Sequence, residues 1–74
     1  MMHFSRLIKI IKVRREILQV NQERLAELSG VSLNTLKQFE SGKGNPILQT
    51  ISKLAEALGL ELTLQVKTLI NESS

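Results

Sequence analysis

Along the first three quarters of the chain, apolar residues recur at intervals of three and four, the spacing that gathers them on one side of a helix. Leu7, Ile8, Ile11 and Leu18 predict a first helix running from an N-cap at Ser5 to about Leu18. Asn21 is the next N-cap candidate, with Leu25, Ala26 and Leu28 as the apolar face of a short second helix. Gly30 closes that helix, since a residue without Cβ enters the left-handed conformation cheaply. Ser32 then caps a third helix, in which Leu36 and Phe39 lie three apart. Ser41 to Pro46 is the one turn-rich stretch. A fourth helix follows, with Ile47, Ile51, Leu54, Ala55 and Leu58 spaced for burial and Gly59 stopping it.

The rhythm changes at Leu60. From there to Lys67 apolar and polar residues alternate strictly, a period of two that reads as a strand with Leu60, Leu62, Leu64 and Val66 on one face. The alternative is that residues 60–67 extend the fourth helix, against which Gly59 and the alternation argue. No second strand is legible, and a lone strand leaves a row of backbone donors and acceptors unpaired. Pairing with the same strand of another copy across a two-fold axis satisfies them. The expected architecture is therefore mainly α: a helix-turn-helix domain of four to five helices over residues 1–59, a dimerisation strand over 60–70 and a frayed tail over 71–74. No internal repeat or low-complexity tract is present.

Composition narrows the function. A chain of 74 residues with 42% hydrophobic content is a single small domain that buries a modest fraction of its surface, so association is an expected stabiliser. It has no cysteine for a disulfide, and the single His3 cannot build a metal site. No apolar run approaches a membrane span, no signal-peptide pattern opens the chain, and a cytoplasmic location is expected. The first twenty residues carry Arg6, Lys9, Lys12, Arg14 and Arg15 against Glu16 alone, a local charge of +4 that exceeds the whole chain's +3. That segment is either a handle for phosphates or a solvated helix face. Lys9, Lys12 and Arg14 are candidates for backbone contacts on the first reading.

Residues 22–41 form the motif that bears on function: short helix, glycine turn, short helix. Ala26 lets the two helices approach, Gly30 makes the turn, and Val31 and Leu36 fill the angle between them. One side of the second helix is thereby left free for a major groove about 12 Å wide. Ser32, Asn34, Thr35, Lys37 and Gln38 lie on that side. The stretches NQERLAELSGVSLNTLKQFESGKGNP and ISKLAEALGLEL, within residues 5–59, resemble the phage-repressor/Cro-like (XRE-type) helix-turn-helix family.

The resemblance implies an all-α core, dimers that read palindromic operators, and base-reading positions at Leu33, Asn34, Lys37 and Gln38, with Ser32 and Thr35 at their margin. It implies phosphate contacts at Gln22, Lys43 and Asn45, and an internal ion pair between Arg15 and Glu40 that removes Arg15 from the phosphate-binding set. Leu33 departs from the family's usual polar reader; a leucine there either meets a thymine methyl or leaves the position unspecific. A domain of this kind followed at once by a strand also resembles HipB-type antitoxins, whose partner is a HipA-type kinase and which repress their own operon. The tail here is short for direct kinase inhibition. The expected protein is a bacterial, nucleoid-associated dimeric repressor of double-stranded operator DNA, without a cofactor.

Catalysis finds no support in a chain with one histidine, no cysteine and no aspartate. The rival is a helical adaptor that binds and neutralises a partner protein without reading DNA. Single-stranded nucleic acid lacks a stacking platform, because Phe4 and Phe39 are the only aromatics. Membrane binding through the first helix competes with the core for its apolar side.

Overall fold

The computed structural model describes residues 4–63, which form four helices: α1 (Phe4–Ile17), α2 (Gln22–Ser29), α3 (Leu33–Glu40) and α4 (Leu48–Ala57). Helix α2 packs against α3 and α4, and α1 packs against α3. Each helix buries the stripe that its apolar spacing dictates. Ile51, Leu54, Ala55 and Leu58 close the α4 side, and Leu25, Val31, Leu36 and Phe39 meet them from the motif helices. Ile11 adds the contribution of α1, flanked by half-buried Leu7 and Ile8.

The helix ends explain how so short a chain turns so sharply. Asn21 Oδ1 accepts from the Arg24 amide at 2.8 Å and Ser32 Oγ from the Thr35 amide at 3.2 Å, so both motif helices begin on side-chain caps. Gly30, left-handed at φ 76°, closes α2 with its amide donating to the Ala26 carbonyl. At the end of α4, Gly59 (φ 74°) lets the Leu60 amide reach back to the Ala55 carbonyl at 2.8 Å and its own amide reach Glu56 at 3.1 Å. This double bond pattern is the Schellman motif. The same pattern ends α1, where Val20 donates to Arg15 and Gln19 to Glu16. There the left-handed position is Gln19 at φ 58°, the one non-glycine residue with positive φ among those described.

Four expectations are corrected. Ser5 lies inside α1, which already includes Phe4. Leu18 is 43% exposed because it sits in the turn beyond Ile17, where the chain has left the helical phase. Leu28 is exposed because α2 buries the stripe through Leu25 and Ala26, and Leu28 falls off it. Ile47 is exposed because it occupies the N-cap position of α4, in extended conformation with no side-chain cap bond. Residues 60–63 do not continue α4. Half-buried Leu60 and Leu62 pack against the helical core from that segment. The strand expected beyond, with Leu64 and Val66, lies outside the described residues.

The paired helix ends make a reciprocal prediction. A side chain in the left-handed region costs about 1–2 kcal/mol, and a Cβ on Gly59 would meet only Arg14 Nη2 at 3.7 Å, an ordinary contact. Gly59→Gln is therefore expected to lose about 1–2 kcal/mol in urea denaturation. Gln19→Gly is expected to gain about 0.5–1 kcal/mol, the relief being partly offset by glycine's unfolded-state entropy.

Candidate nucleic-acid interface

Helix α3 is oriented by a buried polar cluster at its last residue. The Glu40 side chain is 3% exposed and Arg15's 11%. Arg15 Nε donates to Glu40 Oε2 at 2.8 Å and Nη2 to Oε1 at 3.0 Å, a bidentate fork. The third guanidinium nitrogen, Nη1, donates to the Val20 carbonyl at 2.8 Å, just past the end of α1. Gln22 Nε2 adds a further donor to Glu40 Oε1 at 3.0 Å. One carboxylate thus joins α1, the start of α2 and the end of α3. The hydrogen bond to Glu40 raises the Arg15 pKa above its ordinary value against the opposing effect of burial, so the cation stays charged. A carboxylate at a helix C-terminus opposes the helix dipole, and the fork offsets that penalty.

With Leu36, Phe39 and Glu40 buried and Leu33 half-buried, the remaining side of α3 faces out. Asn34, Thr35, Lys37 and Gln38 are exposed there, and no acidic residue shares that side. Among the described residues, the side chains of Asn34, Lys37 and Gln38 make no hydrogen bond to protein. Ser32 and Thr35 differ, since the Ser32 hydroxyl donates to Thr35 Oγ1 at 2.8 Å.

The loop after α3 is brought onto the same face. Gly42 is left-handed at φ 82°, and the Lys43 amide donates back to the Gln38 carbonyl at 2.9 Å, which folds the chain alongside the helix it has just left. Thr35, Gln38, Lys43 and Asn45 consequently border one shallow cleft of about 50 Å³. Of the six base-reading positions expected from the sequence, Thr35 and Gln38 thus share a cleft with the two loop residues.

Other residues are placed differently. Gln22 is half-buried with its amide bonded to Glu40. Arg14 is away from the cleft: its Nε donates to the Leu58 carbonyl at 3.1 Å, tying α1 to the end of α4. Leu60 and Leu62 pack on the core, as described above. The bonds from Gln22 and Arg14 have no signature in spacing, because each joins residues that only the folded chain brings together. Among the described residues there is no group of His, Cys, Asp or Glu able to hold a metal ion, and no helix long and apolar enough to cross a membrane.

The model of the Helix-turn-helix family matches residues 5–65. The chain is similar to the cryptic phage CTXphi transcriptional repressor RstR of Vibrio cholerae, 38% identical over 72 residues that cover 93% of this chain and 62% of that protein. It is similar also to an uncharacterized HTH-type transcriptional regulator of Haemophilus influenzae, 38% identical over 58 residues, covering 78% of this chain and 59% of that protein. A further RstR, from Vibrio cholerae serotype O1, is 33% identical over 49 residues, 66% of this chain and 44% of that protein. The chain spans less than two thirds of the length of each of these relatives.

The buried cluster makes its own prediction. Removing one partner of a buried pair strands the other, so Glu40→Ala is expected to cost about 3–5 kcal/mol in urea denaturation. The double change Arg15→Met with Glu40→Leu should recover most of that loss; a double variant as unstable as the single one would contradict the stranded-charge account.

Proposed function

The chain belongs to the phage-repressor-like (XRE-type) helix-turn-helix family, and from that premise we propose that it binds double-stranded operator DNA as a dimer and represses transcription. The observation that carries this reading is the outward face of α3, where Asn34, Lys37 and Gln38 are exposed, no acidic residue stands beside them, and their side chains make no hydrogen bond among the described residues. Their chemistry matches base edges. Asn34 and Gln38 can each bond adenine N6 and N7, Lys37 can donate to guanine O6 or N7, and Leu33 can meet a thymine methyl. Ser32 and Thr35, whose hydroxyls already pair, serve at the margin.

Lys43 and Asn45, on the cleft beside Gln38, suit the phosphates that flank the reading helix. Gln22 reaches phosphate with the second proton of an amide that Glu40 holds in place. Arg14, committed to Leu58, is a weaker candidate than these three. In a dimer the two copies of α3 would enter successive major grooves about 34 Å apart. Pairing through Leu60, Leu62, Leu64 and Val66 is the dimer contact we propose, in keeping with Leu60 and Leu62 packing their shared face on the core.

Repression of the chain's own operon follows from the same reading. The likeness to HipB-type antitoxins, and with it a HipA-type kinase partner, rests on a repressor-like domain followed at once by the expected strand, whereas the similar proteins named above are a transcriptional repressor and a transcriptional regulator. The repressor reading therefore stands first. Co-purification with the product of a neighbouring kinase-like gene would add the antitoxin role.

Fluorescence anisotropy against DNA from the promoter region tests the proposal. Asn34→Ala and Lys37→Ala are each expected to weaken specific binding by about 1–3 kcal/mol. Lys43→Ala should weaken all sequences alike and reduce the slope of log K against log salt by about 1. Unchanged binding in both α3 variants would reject the assignment and favour the adaptor reading, whose apolar contacts respond little to salt.

A further inference from the structure

Helix α1 carries an apolar stripe that its core contacts do not use. Ile10 is 48% exposed, Val13 40% and Ile17 66%, at the i, i+3, i+7 spacing of one helix face. Together with Leu60 they border a groove of about 440 Å³ rimmed by Arg6, Lys9 and Arg14. Exposed aliphatic residues contiguous along a helix mark a surface that something covers.

The path of the chain identifies what covers it. The segment leaves α4 beside Arg14, whose Nε holds the Leu58 carbonyl. Leu60 still borders the groove beside Val13 and Arg14, whereas Leu62 borders Leu7, Ile10 and Ile11. The segment therefore runs toward the N-terminus of α1, away from Ile17. A strand antiparallel to it runs the other way, along the stripe. If two such strands pair symmetrically about Thr63, the midpoint of the Leu60–Val66 face, Val66 of one copy stands opposite Leu60 of the other with both side chains toward the helices. Residues 67–70 of that copy then extend about 13 Å further. Ile17 lies about 5 Å beyond Arg14 along the helix axis, within that reach.

We propose that the apolar stripe of α1 is the seat of the second copy's C-terminal segment, residues 64–70, so that each tail closes the groove on its partner rather than on its own subunit. This deepens the dimer reading above and rests on it. The tail's Leu64, Val66 and Ile70 and the stripe's Ile10, Val13 and Ile17 would then bury one another. The dimer contact would also reach α1, the helix whose Arg15 holds α3.

The absence of native cysteine makes the test clean. The double variant Val13→Cys with Val66→Cys is oxidised and run without reductant, while analytical ultracentrifugation follows the assembly of the reduced form. A covalent dimer without free thiols, absent from either single variant, is the expected result. A disulfide closed within one chain would overturn the proposal. So would free thiols in a protein that still sediments as a dimer, which would leave the stripe to another occupant and the dimer reading intact. A monomer would remove both readings.

A second measurement avoids dependence on disulfide geometry. Ile17→Asp, at an exposed position, is expected to raise the dimer Kd by about tenfold or more. Leu28→Asp, on an exposed leucine of α2, should leave it unchanged. An unaltered Kd in Ile17→Asp would overturn the proposal.

Discussion

The orientation of α3 depends on one buried carboxylate. Glu40 is the last residue of that helix, and its two oxygens take three side-chain donors from residues 18 and 25 positions earlier in the chain. A contact among leucines fixes how close two helices come but tolerates sliding and rotation, because dispersion is nearly non-directional. A guanidinium fork fixes direction as well. Helix α3 has only eight residues, too few to hold its own orientation, and its outward side is useful only if that orientation is set. Burying the pair adds little net stability once its desolvation cost is counted. Its physical contribution is to orient α3.

The same economy governs the loops. All four helices end on a left-handed residue, Gln19, Gly30, Gly42 and Gly59 in turn, and at α3 this turn delivers Lys43 next to Gln38. On the proposed function, readers of base edges and holders of phosphate would come from one helix and its own cap, with no long connection between them. Helix α1 distributes three roles around its circumference: Ile11 in the core, Arg15 on α3, and Arg14 on the end of α4. Its fourth side is the uncovered stripe.

Much of this was legible in the sequence because it follows local rules. Asn21, Gly30, Ser32 and Gly59 act at helix ends through chemistry confined to a few neighbouring residues, and the buried stripe of α4 follows from spacing alone. Leu18 and Ile47 lie just outside the helix ends, where periodicity no longer predicts which way a side chain points, and Leu28 lies within α2 but off its buried stripe. For the site, the outward residues of α3 could be read by subtracting the buried ones, and the Arg15–Glu40 pair followed from family likeness. The Gln22 and Arg14 bonds were not legible, since one depends on how the start of α2 meets the end of α3 and the other on how α1 meets the end of α4. The apolar stripe of α1 was not legible either: Ile10, Val13 and Ile17 share a helix with Leu7, Ile8 and Ile11, and spacing alone does not say which apolar side faces the core.

On the proposed function, the outward side of α3 and the loop turned onto it meet DNA, held in place from behind by Glu40. Amide chemical-shift mapping of the isotope-labelled protein during titration with promoter DNA tests this residue by residue. Shifts are expected at residues 32–38 and 43–45 and at Gln22, with the outer side of α1 between Ile10 and Ile17 undisturbed. Shifts confined to α1, with residues 32–38 unmoved, would contradict it.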